Sequence, residues 1–301
     1  MAASKSGINK GKGTFIVLYL GPALIIYLGL VIWPLIQAFQ FSLYRWSGLS
    51  NVATFIGLHN FQKLAHDDVF WRSLEHNLAL LVIGGAVIVA ISLVAAHLLA
   101  EKGRSARLLR GVILFPQMMS LTVVAILWMF IFNPQFGIVT GLFNVLHLGN
   151  LSKTWLAYPP TALPAVGIAF AWFAIGFYAM LFSAGLKTIP DEVKEAAELD
   201  GAAGWQKFRK VTWPMLWSIK RIVLVHLTIL VLNIFVLVYL MTAGGPDRAT
   251  EVLLTYMYQR AFQDSQLGYA TAIAVANFVV AMVLTFLVLL VIGKDPTEAR
   301  P

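Results

Sequence analysis

The sequence contains no cysteine and very little charge. Among its 301 residues, 12% are Asp, Glu, Lys or Arg and none is Cys. The absence of cysteine excludes disulfides, thiolate zinc sites and cysteine nucleophiles. Soluble domains carry about 25% charged residues, so the scarcity of charge favours a chain whose surroundings are mostly lipid. The 59% share of hydrophobic residues agrees with this interpretation.

Signatures of catalysis and nucleotide binding are missing as well. The sequence has neither the HExxH pattern of zinc peptidases nor a GxxxxGK[ST] phosphate-binding loop. Its long apolar stretches hold no acidic residue, so the proton relay of a secondary transporter lacks its usual groups. A membrane enzyme would need paired acidic, His or Ser side chains at one depth. We therefore predict a chain that is not an enzyme and has no metal or cofactor of its own. A secondary carrier or channel stays open as the less favoured alternative.

The net charge of +8 could suit nucleic acid or anionic lipid as a partner. The basic residues are confined to short connectors between the uncharged stretches, so they form no continuous face for a nucleic-acid backbone. Their distribution indicates membrane topology instead. We expect membrane lipid, and no nucleic acid, as a partner.

Six uncharged stretches are long enough to cross a membrane. A helix needs about 20 residues to span a hydrocarbon layer of about 30 Å. No repeat or low-complexity segment divides the chain, so residues 1–301 are expected to form one all-α, polytopic transmembrane domain. The first stretch is too long for the core of a signal peptide and should stay attached. The predicted spans are residues 14–38, 78–99, 111–132, 162–186, 222–242 and 269–292.

The basic residues predict the orientation of these spans. With a cytoplasmic N-terminus, 16 of the 22 Lys and Arg residues fall in inside segments and six fall outside. Because inside connectors are enriched in Lys and Arg, both termini should lie in the cytoplasm. Two outside connectors, residues 55–61 and 137–148, mix apolar and turn residues and should be partly ordered. The six outside residues are Arg45, Lys63, Arg72, Lys153, Arg248 and Arg260.

The cytoplasmic loop at residues 187–221 is the most informative segment. Pro190 suits a first helical position, and Asp191 and Glu192 complement the positive end of the helix dipole. Gly201 can adopt the left-handed conformation that ends a helix. A second helix should run from Ala202 towards Pro214, with Trp205 and Phe208 on one face. The loop is thus predicted to fold as helix, glycine turn and helix. Composition alone would equally suit a loop that only enforces topology.

The spacing within this loop resembles a known signature. Glu195-Ala196-Ala197, three further residues and Gly201, with Val211 and Pro214 later, are similar to the EAA loop of ABC importer permeases. The rest of the chain resembles the first permease subunit of maltose and glycerol-phosphate importers. The residues that carry this wider resemblance are Pro34, Ser42-Leu43, residues 55–61, Phe70-Trp71, Leu114-Phe115-Pro116, Trp128, Phe132-Asn133-Pro134, residues 242–246, Thr250-Glu251, Tyr258, Ala261-Phe262 and Gly268-Tyr269-Ala270.

The resemblance implies a type I importer permease fold in a bacterial inner membrane. It implies a second, usually different, permease subunit, two ATP-binding-cassette ATPase subunits that hold ATP and Mg, and an extracytoplasmic solute-binding protein. A sugar or oligosaccharide would be the cargo, with glycerol phosphate, phosphate, amino acids or peptides as alternatives. The residues expected to couple this chain to the ATPases are Glu195, Ala196, Ala197, Gly201, Ala202 and Pro214.

Candidate cargo residues follow from the polar and aromatic side chains of predicted spans four to six, which line the pathway in this family. Such residues at membrane depth tend to face a cavity, and sugar sites combine aromatic faces with a few hydrogen-bonding groups. Packing and interhelical hydrogen bonding is the alternative for each of them. For His97 and His226 we expect packing only. The candidates are Phe177, Tyr178, Asn233, Tyr239 and Asn277.

Overall fold

The computed structural model describes residues 18–49, 52–100, 104–147 and 154–293. The regular secondary structure of the described chain is helical apart from one short antiparallel pairing of Tyr44–Arg45 with Thr54–Phe55. This confirms the all-α prediction. Seven residues counted in the orientation lie outside the described residues. They are Lys5, Lys10, Lys12, Lys102, Lys153, Lys294 and Arg300.

Four continuous helices of the described chain are long and apolar enough to cross a membrane. Span 2 was predicted to begin at Leu78 but begins ten residues earlier, because the Asp67 side chain accepts a hydrogen bond from the Val69 backbone N–H at 2.9 Å and caps the helix. The first residues predicted for span 1 lie outside the described chain. The four helices are span 1, Leu18–Phe41; span 2, Asp68–Leu99; span 4, Pro159–Thr188; and span 6, Leu267–Ile292.

Span 3 is not the single helix predicted for residues 111–132. It consists of the helix Arg104–Leu114, the short 3-10 helix Phe115–Met118 and the helix Leu121–Ile131, and the chain bends by 104° between the helical segment that ends at Met118 and the one that begins at Leu121. Pro116 has no N–H with which to continue a helix, and the Ser120 hydroxyl accepts a hydrogen bond from Val123 N to start the second one. Hydropathy did not reveal the bend because both halves are apolar.

Span 5 differs from its predicted bounds of 222–242 in a similar way. One helix runs from Trp217 to Leu232, and a second, Val236–Met241, follows a break. At the break the Asn233 side chain donates to Ile229 O at 2.8 Å, a local bond that competes with helix continuation. The four continuous helices and two bent pairs of helices give up to six candidate spans, the predicted number; the second pair joins Gly204–Met215, from the predicted cytoplasmic loop, to Trp217–Leu232 at an angle of 73°.

Both connectors that were predicted to be ordered contain helices. Residues His59–Ala65 form one of them and Ile138–Val145 the other. The described residues divide into two compact units. The smaller comprises the described parts of Met1–His66 with Gln259–Val275, and the larger comprises those of Asp67–Tyr258 with Ala276–Pro301.

The larger unit has an apolar core formed by spans 2 to 5. Fully buried side chains in it include Ile88, Val124, Tyr178, Phe182 and Leu227. The helices approach closely where glycine replaces a side chain: a Cβ added to Gly176 would lie 2.3 Å from Ile113 O. Outward-facing side chains of these helices are also apolar, among them Val94, Ile168 and Met180. A helix surface of this kind suits lipid rather than water.

Candidate coupling loop and cargo pathway

The loop between spans 4 and 5 begins with a short helix, Asp191–Leu199, which we call the coupling helix. Pro190 precedes it, and Asp191 and Glu192 occupy its first turn. Gly201 has a φ of +78°, and Ala202 N donates to Ala197 O at 2.9 Å across the turn. The predicted helix ending at a left-handed glycine is confirmed.

A second helical segment, Gly204–Met215, follows the glycine turn. It starts two residues later than predicted because Ala203 has an extended backbone. Lys207 Nζ lies 2.6 Å from Glu198 Oε1 and joins the two helices by an ion pair. The rings of Trp205 and Phe208 stack with centroids 5.2 Å apart, as the spacing of three predicted. The two halves of the loop are therefore connected to each other.

The coupling helix presents a mixed surface outwards. Glu195 and Ala196 are exposed, whereas Ala197 is buried and faces its own chain. Leu199 is 90% exposed, although it is a large apolar residue. Sequence reasoning missed Leu199, and its signal was a large apolar residue at the end of a charge-rich helix, two residues before Gly201. Exposed apolar side chains beside charged ones are typical of protein interfaces.

The ends of the loop are packed against the membrane spans. A Cβ added to Gly185 of span 4 would lie 2.6 Å from Ile219 Cγ1 and 2.9 Å from Leu216 Cδ2, so the start of span 5 touches the span 4 backbone. Leu216, two residues after Pro214, is 1% exposed. Trp217 Nε1 donates to Ile292 O at 3.0 Å and links the start of span 5 to the end of span 6. The end of the loop is thus in contact with spans 4 and 6 through the start of span 5.

Two of the five candidate cargo residues lie together with a histidine. The Tyr178 hydroxyl and His226 Nδ1 form a hydrogen bond of 3.0 Å, and the Phe177 and His226 ring centroids are 5.1 Å apart. Tyr178 is fully buried, while His226 is exposed. The expectation that His226 serves packing alone is therefore wrong: it joins a polar pair at membrane depth. We call Phe177, Tyr178 and His226 the tyrosine–histidine cluster.

The other three candidates lie elsewhere in the larger unit. Tyr239 stacks on Phe235 with centroids 5.1 Å apart and meets Tyr258 edge-on at 5.0 Å. Asn233 is exposed at the break in span 5. Asn277 is 6% exposed, and its Oδ1 atom has no hydrogen-bond partner in the described chain. The remaining lone histidine, His97, is exposed and lies near the Phe208 ring at 6.1 Å.

Metal coordination is not supported by the geometry. No group of three or more His, Asp or Glu side chains within the described ranges is arranged to hold a metal ion. The arrangement offers hydrogen bonding and aromatic contact at membrane depth, and an exposed helix surface outside the spans.

Comparisons with known proteins cover nearly the whole chain. Residues 88–294 match the family described as "Binding-protein-dependent transport system inner membrane component". A relative from Bacillus subtilis, the "Probable ABC transporter permease protein YurN", is 35% identical over 90% of this chain and 93% of its own length.

Two further relatives have names that state a cargo. The "Diacetylchitobiose uptake system permease protein NgcF" of Streptomyces coelicolor is 33% identical over 92% of this chain and 82% of its own. The "Sulfoquinovosyl glycerol transport system permease protein SmoG" of Agrobacterium fabrum is 31% identical over 95% of this chain and 92% of its own.

A solved structure shares the fold. A chain of a bacterial ABC transporter "involved in the import of the acidic polysaccharide alginate" superimposes with a TM-score of 0.79 at 21% identity, covering 95% of this chain and 97% of that one.

Proposed function

Because this chain belongs to the family of binding-protein-dependent ABC transporter permeases, we propose that it conducts a sugar or oligosaccharide across the inner membrane. The observation that carries the cargo class is the near full-length likeness to NgcF and SmoG, both of which are named for sugar-containing cargo. The uncharged interiors of the spans suit a largely neutral solute, since burying an unpaired charge in a membrane is costly.

The chain acts with partners in this proposal. The family description itself requires a binding protein, and a relative of this fold has been solved in complex with an "alginate pentasaccharide-bound periplasmic protein". The sequence has no phosphate-binding loop, so two separate ATPase subunits bind ATP and Mg. A second permease subunit, different from this one, completes the pathway. The proposed complex is thus a permease heterodimer with two ATPases inside and one binding protein outside.

The ATPase subunits bind the exposed face of the coupling helix. Glu195, Ala196 and Leu199 supply its exposed side chains, while Gly201 and Ala202 form the turn that fixes its direction. Ala197 packs the helix onto its own chain. The ion pair between Lys207 and Glu198 and the contacts around Leu216, just after Pro214, make the loop a stiff connection to the spans. ATP-driven movement of the ATPases would therefore bias the spans between two arrangements.

The tyrosine–histidine cluster is the proposed cargo contact. His226 offers an exposed imidazole edge, and Tyr178 holds that ring through their 3.0 Å hydrogen bond. The Phe177 ring beside them adds an apolar face. Sugars bind to such combinations of an aromatic face and a few oriented polar groups. His226 is thus the contacting residue and Tyr178 a positioning residue, with Asn233, Tyr239 and Asn277 as secondary candidates.

Reconstitution of the complete complex in proteoliposomes tests this function. The chain, its second permease, the ATPases and the binding protein are assembled, and ATP hydrolysis and uptake are measured with a panel of sugars, phosphate, amino acids and peptides. We expect a sugar-loaded binding protein to stimulate both activities. Stimulation by a non-sugar solute alone would overturn the cargo class. Uptake that needs no ATPase subunit would instead support a secondary carrier.

A further inference from the structure

An apolar groove of about 800 Å³ runs along the larger unit, and neither Tyr178 nor His226 lines it. Its walls come from three spans: Leu81 and Leu93 of span 2, Leu224 and Leu227 of span 5, and Val288 of span 6. The one hydroxyl that the described residues contribute to the wall, that of Thr228, donates to Leu224 O at 2.8 Å. Along the spans, the groove can therefore hold an occupant that offers no hydrogen-bonding groups.

One end of this groove is aromatic and cationic. Trp205, Phe208 and Trp213 line it together with Arg209. Arg209 and the neighbouring Lys210 are exposed, and neither has a hydrogen bond or ion pair within the described chain. Lys220 adds a third cation, with Nζ 4.4 Å from the centre of the Trp213 ring. Among the residues that the structure describes, no acidic one lines the groove.

The composition of this end indicates its depth in the membrane. Tryptophan together with Lys and Arg is typical of the boundary between hydrocarbon and headgroups. The loop that contains Arg209 and Lys210 is on the predicted cytoplasmic side, where anionic lipids give the membrane a negative surface potential. The groove thus extends from headgroup level into the hydrocarbon layer.

We propose that this groove binds an anionic phospholipid, with its phosphate at Arg209, the cation that lines the groove, and an acyl chain along spans 2, 5 and 6. An occupant that is apolar over most of its length and negative at one end matches the lining. Basic pockets between spans on the cytoplasmic side are known to hold such headgroups. Because Arg209 and Lys210 belong to the loop that contains the coupling helix, the lipid braces that loop against span 2.

A helix of another subunit is the rival occupant. Ala86 and Ala90 line the groove four residues apart, and small residues at that spacing also permit close helix packing. An apolar helix would leave the cations at the groove end without partners, which is why lipid is favoured. The inference goes beyond the transport proposal and requires only that the chain is embedded in a membrane, so the two can fail independently.

Lipid retention by the purified full complex tests the headgroup contact. The Arg209→Gln variant, which removes the cation that lines the groove, is compared with Lys187→Gln, which removes an exposed cation that does not line it. Phosphatidylglycerol and phosphatidylcholine with the same chains are the probes, counted by native mass spectrometry. We expect phosphatidylglycerol affinity to fall about fivefold for each charge removed, with phosphatidylcholine unchanged and the control equal to wild type. Retention of phosphatidylglycerol by Arg209→Gln equal to that of wild type would overturn the proposal.

Two changes at Ala86 test the acyl-chain position and the rival. Ala86→Leu fills the groove and should lower retention of both lipids, whereas Val94→Phe enlarges an exposed side chain of span 2 that does not line the groove and should not. A photoreactive benzophenone side chain at position 86 should form lipid adducts in native membranes. Unchanged lipid retention by Ala86→Leu, or crosslinks to another polypeptide instead of lipid, would refute lipid as the occupant.

Discussion

Individual polar side chains have large effects inside this apolar bundle because lipid cannot replace a lost hydrogen bond. Asn77 is an example at the residue scale. It is fully buried, its Nδ2 donates to Val231 O at 2.9 Å, and its Oδ1 accepts from Leu253 N at 3.0 Å. One amide thus joins span 2, the end of the first half of span 5 and the helix that begins at Leu253.

Asn77→Leu should destabilise the chain while keeping the branched shape and the number of side-chain heavy atoms. The substitution leaves the Leu253 N–H and the Val231 carbonyl without the Asn77 amide, and each buried unsatisfied group costs about 1–3 kcal/mol. We expect a lower Tm for the purified protein in detergent, measured by fluorescence-detected size exclusion after heating. Asn144→Leu alters an exposed asparagine and should leave the Tm unchanged. Equal Tm values for the two variants would contradict this role of Asn77.

Tyr178→Phe is the sharpest residue-scale test of the cargo proposal. It removes only the hydroxyl that bonds to His226, a bond worth about 0.5–1.5 kcal/mol, so cargo KM should rise by a few-fold to about tenfold. His226→Ala should have the larger effect because it removes the proposed contact itself. Tyr27→Phe makes the same change on an exposed residue of span 1 and serves as control. Uptake with unchanged KM and cargo range in both cluster variants would remove them from the pathway.

At the scale of elements, two spans are interrupted, and the two helices of the coupling loop are joined by an ion pair. The bend in span 3 and the break in span 5 place polar or irregular backbone within apolar segments, where neighbouring groups satisfy it: Gln117 Nε2 donates to Phe173 O at 2.6 Å beside the bend. The coupling loop, by contrast, is joined to itself by Lys207 and Glu198. Stiffness is what a segment needs if it transmits movement from one protein to another.

Leu199→Ala should weaken attachment of the ATPase subunits without affecting membrane insertion. Leu199 is 90% exposed, so its truncation costs the folded chain little, whereas an interface anchor contributes about 2 kcal/mol or more. We expect at least a tenfold loss of ATPase binding, measured by titrating ATPase onto the permease in nanodiscs. Lys187→Ala, an exposed truncation before the coupling helix, is the control. If Leu199→Ala bound the ATPase subunits with wild-type affinity, Leu199 would not be part of the ATPase interface.

Elements were easier to predict from sequence than the contacts between them. Hydropathy gave the six spans because each must cross the same thickness of lipid, and Gly201 marked its turn because its φ of +78° favours glycine. The bend between Met118 and Leu121 and the break at Asn233 escaped detection because apolar residues continue on both sides of each. The bond between Tyr178 and His226 joins residues 48 positions apart, a pairing that no local pattern contains.

At the scale of the whole molecule, the membrane side indicated by the basic residues should be the side on which each proposed partner binds. The coupling loop holds seven of the 22 Lys and Arg residues, namely Lys187, Lys194, Lys207, Arg209, Lys210, Lys220 and Arg221. Positive charge keeps such a loop in the cytoplasm, which is also where ATPase subunits work. The connector between spans 3 and 4 should then face the opposite side, where a solute-binding protein would arrive.

Because the chain has no native cysteine, single cysteines report this topology directly. Leu199→Cys and Gln135→Cys both replace exposed residues, the second in the connector after span 3. A membrane-impermeant maleimide added to intact spheroplasts should label Gln135→Cys but label Leu199→Cys only after lysis. The cysteine-free parent controls for background. Labelling of Leu199→Cys in intact spheroplasts would place the coupling helix on the outer face, where no ATPase could reach it, and the coupling proposal would fail with the topology.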